Sequence, residues 1–231
     1  MTTSGPSADA PRPDPPFVIT VDGPAASGKG TIATRLGRLY GLPVLDSGLL
    51  YRAVGVTVQN RGGDLDDAET AAAVARALTA ADLEDPDFRT RAAGEAASRV
   101  AVHPAVRAAL FDLQRAFAGQ PSGAVLDGRD MGTAICPDAP AKLYVTASPE
   151  ARAERRWRQL TAQGEPVTPA EVLEDIRRRD ARDGGREASP LRPAEDAVLL
   201  DTTEMTIEQA ADAARRIVEA ARAGRDSPRR G

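Results

Sequence analysis

The residues Gly23-Pro24-Ala25-Ala26-Ser27-Gly28-Lys29-Gly30-Thr31 have the composition of a loop that wraps an anion. Small residues and glycines let successive backbone N–H groups converge on phosphate oxygens. A helix opening behind them adds a partial positive charge, and a lysine at its start can reach the outer phosphates of a nucleotide. The loop follows directly on the β-rich apolar run Phe17-Val18-Ile19-Thr20-Val21. One element is displaced: Gly30 follows Lys29, and the hydroxyl expected at that place arrives one residue later, at Thr31. An ordinary glycine-rich turn would explain the glycines, but not the strand, lysine and helix start in one register. The lysine stands out, because all but two of the 30 basic residues are arginine, the exceptions being Lys29 and Lys142. A lysine is a compact point charge at a phosphate, an arginine a planar fork.

Three further segments carry charge at useful spacing. In Asp46-Ser47-Gly48-Leu49-Leu50-Tyr51-Arg52, Ser47 can cap a helix whose next turn presents Arg52, although a capped helix with a surface arginine reads the same way. Asp127-Gly128-Arg129-Asp130-Met131-Gly132-Thr133 follows an apolar run. An aspartate there stands at the carboxyl edge of a sheet, where α/β proteins bind ligands. Beside a phosphate loop it can hold the hydration shell of Mg2+, so Asp127 is expected to act through water, with no direct protein ligand to the metal. In the run from Arg177 to Arg186, helical spacing puts Arg179, Asp183 and, nearly, Arg186 on one face, next to a Gly184-Gly185 pair that suggests a mobile lid. The plain alternative is a solvated helix with ion pairs one turn apart. His103, Cys136 and Trp157 read as packing residues.

The elements that must position these groups follow from patterning. Short apolar runs at 17–21, 43–45, 123–126, 142–146 and 197–200 are each followed by a turn or polar signal and a helical pattern. Strands alternating with helices predict a parallel sheet covered on both faces. Helix starts are marked by Ser148-Pro149-Glu150, by Thr168-Pro169-Ala170-Glu171 and by Thr206 with Gln209; the last helix is expected to bury Ile207, Ala210, Ala211, Ala214, Ile217, Val218 and Ala221. The Ala-rich stretch from about 62 to 121 reads as a mostly helical insert. Residues 1–16, with five prolines, and 224–231 read as disordered ends.

Composition narrows the chemistry. One cysteine and one histidine exclude intramolecular disulfides, cysteine-based zinc sites and multi-histidine metal sites within one chain, and argue against a Ser-His-Asp triad. A net charge of −4 disfavours nucleic acid as a partner. No apolar run reaches the ~18 residues of a membrane span, and no signal peptide is visible, so a cytoplasmic setting is expected.

In this order the four motifs resemble bacterial cytidylate kinases, within the nucleoside monophosphate kinase group. The GxxxxGKGT form of the loop is that group's, which accounts for Gly30; DSGxxYR and DGRDMGT resemble the cytidylate kinase branch, and the similarity runs from about Phe17 to Arg222. The resemblance implies an α/β fold of the P-loop NTPase type over 17–223: a five-stranded parallel sheet flanked by helices, an inserted helical subdomain that binds the monophosphate, and a short lid at about 177–190. It implies transfer of the γ-phosphoryl of ATP to CMP or dCMP with Mg2+, by a chain expected to be a monomer. Gly23, Pro24, Ala25, Ala26, Ser27, Gly28, Lys29, Gly30 and Thr31 would hold the ATP phosphates, and Arg155 and Arg156 would help close over ATP. Ser47, Arg52, Arg129 and Arg186 would meet the acceptor phosphate or the transferring group, Ser98, Arg107 and Asp130 the cytosine, Arg179 and Asp183 the sugar. Lys29, Arg129, Asp127 and Arg186 would carry the catalytic charge. Competing readings are a kinase of another small acceptor (UMP, dTMP or a metabolite) and a P-loop switch or nucleic-acid-dependent ATPase. A guanine-reading NKxD motif is missing from the chain.

Overall fold

The structure is a computed structural model and describes residues 16–79, 83 and 85–226. The expected leader up to residue 15 and the end from 227 lie outside the described residues. Five strands form one sheet, β1 (Val18–Asp22), β2 (Val44–Asp46), β3 (Ala124–Gly128), β4 (Ala141–Thr146) and β5 (Val198–Asp201), in the order β2-β3-β1-β4-β5. Every pairing is parallel. Each strand overlaps an expected apolar run, and most extend by a residue or two to the charged or small residue at its carboxyl end. All carboxyl ends therefore meet at one edge, and β1, central and buried along its whole length, delivers the phosphate loop to the middle of it.

The alternation of side chains along the strands builds two cores. Ile19, Val21, Val125, Leu143 and Val145 face α1 (Lys29–Tyr40) and α8 (Ile207–Asp226), through Ile32, Leu36, Ala214 and Val218. Val18, Ala124, Leu126 and Leu45 face the other way, toward α2 (Ser47–Asn60), α3 (Ala68–Ala77), α4 (Arg91–Val100) and α5 (Pro104–Ala118). The described part of the 62–121 stretch is helical, as its composition suggests. A third, smaller cluster joins α6 (Pro149–Ala162) and α7 (Pro169–Gly184) to Ala25 of the phosphate loop through Ala153, Leu160, Val172 and Ile176.

Some boundaries differ from the pattern. The α8 helix runs on through Gly224 to Asp226, so the end of the chain is helical for longer than its glycine and charge content suggest. Ile207 is exposed, and the buried face of α8 begins at Ala210. The expected lid at 177–190 is in two parts: residues up to Gly184 complete α7, and an irregular segment follows. Trp157 packs beside α7 and donates to the Val167 carbonyl at 3.2 Å, and His103 contacts the Leu65 carbonyl at 2.8 Å, so both are structural.

The insert is held to the sheet domain by a close crossing. A methyl group on Gly55 of α2 would stand 2.7 Å from the Cβ of Ala96 on α4 and 2.8 Å from its carbonyl carbon. Neither helix can yield there without moving its axis. Gly55→Ala is expected to lower the unfolding free energy by about 1–3 kcal/mol, the usual cost of overpacking a filled interface. Urea denaturation with an unchanged m-value checks this, and full stability in the variant would show that the helices separate freely.

Candidate active site

The phosphate loop joins β1 to α1. Gly23, at φ 150°, could not carry a side chain, since a Cβ would meet the Val145 carbonyl oxygen at 1.9 Å. The Ser27 carbonyl accepts from the Thr202 hydroxyl at 3.0 Å, which ties the loop to the end of β5. Lys29 begins α1; its Nζ lies 3.9 Å from Asp127 Oδ1 and 3.4 Å from the Pro24 carbonyl. The displaced hydroxyl also finds its reason here. A Cβ on Gly30 would come within 3.1 Å of Asp127 Oδ2, so a side chain after the lysine would crowd that carboxylate, and Thr31 lines the cavity instead.

That cavity, of about 560 Å3, is bounded by residues 26–32, by Arg155 and Arg156 of α6, and by Met205 and Ile207 at the start of α8. Arg155 is fixed by bonds to the Thr202 hydroxyl and carbonyl, at 3.0 and 2.5 Å. A second cavity, of about 670 Å3, shares Lys29, Arg52, Arg129, Arg156 and Arg179 with it and opens toward α4 and α7. Five cations thus converge where the two cavities meet. Burial, with Arg129 adding to it and Asp127 opposing, pushes the Lys29 ammonium down to about 8. Burial beside Arg129 pushes Arg179 down to about 10. Arg52 and Arg179 keep Nε atoms buried without a hydrogen-bond partner among the described residues. Such groups are costly unless an anion arrives to meet them.

On the other side of these cations lies a narrow pocket of about 40 Å3. It brings together Ser47, Ser98, Arg107, Arg129, Asp130, Arg179, Asp183 and Arg186, from five separate stretches of the chain. Arg107 pairs with Asp130 while its guanidinium lies 5.6 Å from the Tyr51 ring centre, and Ser98 Oγ is buried without a hydrogen-bond partner among the described residues. Asp183 faces Arg129 at 3.2 Å and Arg179 and Arg186 at 3.9 Å each. Burial would raise its pKa, but these guanidiniums outweigh that and hold the carboxyl below its ordinary value. Arg186, expected to arrive from a swinging lid, is already buried here. Arg179 touches both sides: it neighbours Asp183 and also lines both large cavities.

Residues the sequence reading passed over complete the site. Asp22, the last residue of β1, accepts from the N–H groups of Met131 and Gly132 at 2.8 Å each, and so fixes the turn that presents Arg129 and Asp130. Burial lifts its carboxyl to about 7. The strand-end argument that marked Asp127 applies equally to Asp22. Asp46 ends β2 in register with Asp127, so two carboxylates stand side by side at the sheet edge. Arg152, buried at the start of α6, was masked by the run of surface charge around it.

A parallel sheet with a glycine-rich loop and lysine at its central strand, and with cations gathered between two ligand cavities, is the architecture of a P-loop phosphotransferase acting on a small phosphorylated acceptor. A sequence model described as cytidylate kinase matches residues 19–220. The chain is 67% identical over 213 residues to the cytidylate kinase of Caulobacter sp. (strain K31), covering 92% of this chain and 99% of that protein. It is 57% identical over 205 residues to that of Methylocella silvestris, covering 89% and 95%. A solved structure of an uncharacterized protein from Eubacterium ventriosum is similar in fold alone, with a TM-score of 0.52 at 12% identity, covering 88% of this chain and 99% of that one. The chain belongs to the cytidylate kinase family.

The two central ionisations give a pH profile. Asp127 is pushed by burial up to about 6, with Lys29 opposing, so its carboxylate is lost as pH falls through that value. The Lys29 ammonium is lost as pH rises through about 8. With both substrates below saturation, kcat/KM is expected to rise through about pH 6 and fall beyond about pH 8, since that ratio reports groups of the free enzyme. A rate that stays level well above pH 8 would count against Lys29 as an essential cation.

Proposed function

We propose that this chain transfers the γ-phosphoryl group of ATP to CMP and dCMP, giving ADP and the pyrimidine diphosphate. The observation that carries the reading is the narrow pocket. Of its lining, Arg129 and Arg179 also face the cavities beside the phosphate loop, whereas Asp130, Arg107 and Ser98 face neither. A monophosphate fits that polarity, with its base at the carboxylate and its phosphate at the cations. A monomer and a cytoplasmic setting belong to the same proposal, the latter because its substrates are free nucleotides. In domain terms, the sheet and its helices form the ATP-binding body, the stretch about 62–121 holds the acceptor, and the segment about 177–190 closes over it.

In the proposed mechanism, backbone N–H groups of the loop and Lys29 hold the β- and γ-phosphates. Arg52, Arg129, Arg179 and Arg186 draw in the acceptor phosphate and screen its repulsion from ATP. An oxygen of that phosphate attacks the γ-phosphorus, the bond to the β–γ bridging oxygen breaks, and ADP carries away the electron pair. The attacking oxygen is already ionised at neutral pH, so the site needs charge neutralisation rather than a histidine base. The residues also fit Mg2+. Asp127 and Asp46 offer hard oxygen donors at adjacent strand ends, and Asp127 Oδ1 is buried without a hydrogen-bond partner among the described residues. They would hold the ion through water, and it would supply charge neutralisation at the phosphates. Arg155 and Arg156 would cover the ATP cavity.

A coupled ADP-release assay over a panel of monophosphates tests the function; turnover with UMP or dTMP but not CMP would replace it with another acceptor. Lys29→Ala is expected to lose phosphoryl transfer by orders of magnitude at saturating ATP, with its thermal midpoint little changed because the ammonium faces a cavity. Base selection gives a sharper test. If Asp130 accepts from the cytosine amine, CMP is preferred to UMP by a factor on the order of 10⁴, because uracil leaves the buried carboxylate unpaired. Asp130→Asn then narrows the gap, since an amide also donates. If Asp130 serves only to orient Arg107, the variant slows both nucleotides and leaves their kcat/KM ratio unchanged.

A further inference from the structure

Arg152 has no place in the mechanism above, yet it is the most completely bonded arginine near the phosphate loop. Its side chain is buried in the first turn of α6. Nε donates to the Ala147 carbonyl at 2.9 Å, and Nη1 to the Ala25 carbonyl at 3.3 Å. Nη1 and Nη2 together form a fork onto the two oxygens of Asp180, at 3.0 and 2.6 Å. One guanidinium thus joins three pieces of chain: the end of β4, the phosphate loop and helix α7. Neither Arg152 nor Asp180 lines the two large cavities or the narrow pocket.

The bond to Ala25 falls where the loop needs it. Ala26 has φ 60°, a left-handed conformation without glycine's exemption. Such a residue costs of order 1–3 kcal/mol and persists only where its surroundings impose it. The rotation at issue turns the Ala25–Ala26 peptide plane. That plane is rigid, with C=O and N–H pointing in opposite directions, so holding the carbonyl of Ala25 also sets the direction of the Ala26 N–H. Arg152 holds that carbonyl. Asp180 in turn holds Arg152, and it stands on α7 directly beside Arg179 and one turn before Asp183. A buried fork between two helices could be mere packing, but packing alone gives no reason for a third donor to reach the one peptide beside the strained residue.

We propose that Arg152 is a positioning residue for the ATP site. It locks the Ala25–Ala26 peptide in the orientation that binds phosphate, and Asp180 is the carboxylate that orients it. The inference rests on the reading of residues 23–31 as the ATP loop. Its test is equilibrium binding of ATP in the absence of CMP, together with KM for CMP and the thermal midpoint, for the wild type, Arg152→Gln, Asp180→Asn and the double variant. Arg152→Gln is expected to weaken ATP binding by roughly tenfold or more, the size of one lost hydrogen bond to a charged group, with KM for CMP unchanged. Asp180→Asn is expected to shift ATP binding in the same direction by less. The double variant should be no worse than Arg152→Gln alone, because Asp180 acts through Arg152. A lowered thermal midpoint with wild-type ATP affinity would make Arg152 purely structural and overturn the proposal, as would equal losses for ATP and CMP or additive losses in the double variant. Should Arg152→Gln fail to fold, unchanged ATP affinity in Asp180→Asn decides against it. A wild-type chain that bound no ATP would refute the reading of the loop and the inference with it, whereas wild-type binding with unaltered variants would refute the inference alone.

Discussion

Arg52, Arg129, Arg156, Arg179 and Lys29 share one cleft, and like charges this close repel one another. Burial first, and the neighbouring arginines after it, push Lys29, Arg179 and Arg156 down, while Asp183 and Asp127 hold Arg129 up. A fold that merely minimised its own energy would disperse these groups. Here each is brought in on a different support: Lys29 on α1, Arg52 on α2, Arg129 after β3, Arg156 on α6 and Arg179 on α7. Five separate elements thus aim their cations at one place. The binding free energy of two polyanions can then be drawn from repulsion that already exists.

The carboxylates are placed to make that crowding tolerable without cancelling it. Asp127 stands 3.9 Å from Lys29, close enough to stabilise the ammonium and too far for a hydrogen bond that would fix it. Asp22 gives both oxygens to backbone N–H groups of the Met131–Gly132 turn. A methyl group on Gly132 would meet Thr20, Lys142 and Asp22 together, so the turn is held against β1 at closest approach. Lys142, the other lysine to escape the arginine bias, is occupied with Asp196 and the Pro137 carbonyl on that same side of the sheet. It supports the scaffold and meets no ligand cavity beside the phosphate loop.

Much of this was legible in residue order, and the boundary of legibility has a physical cause. The five strands could be read because buried strands show as short apolar runs, and the phosphate loop because local backbone geometry demands glycines at fixed spacing. Ser98 and Arg107 came only through likeness to a family, and Asp130 and Asp183, visible as charges in their own segments, gained partners there, since nothing in the local sequence says that the four meet; the fold brings them together from α4, α5, the turn after β3 and α7. Arg152 and Asp180 were hidden among look-alikes, in stretches where most neighbours are charged and exposed, and only tertiary packing distinguishes the buried fork. Arg186 is buried in this structure, which the Gly-Gly pair beside it does not announce. Gly185 instead adopts φ −87°, available to any residue, and the chain after it already folds into the pocket.

The narrow pocket explains how a charged cleft can still choose its acceptor. It is narrow, about 40 Å3, with Arg129 paired to Asp183 and Arg107 to Asp130 among its lining. Entry must part both pairs, and parting a buried ion pair is expensive unless each half finds a new partner. Under the proposed function, a nucleoside monophosphate satisfies this at both points. Its phosphate takes the Arg129 guanidinium while sugar hydroxyls donate to Asp183, and the cytosine amine donates to Asp130 while its ring carbonyl accepts from Arg107. A bare phosphate could replace only the first carboxylate, and a nucleoside without phosphate would leave Arg129 stranded. On that reading, recognition of the whole acceptor follows from the two ion pairs, each exchanged as the acceptor phosphate comes to lie among the cations.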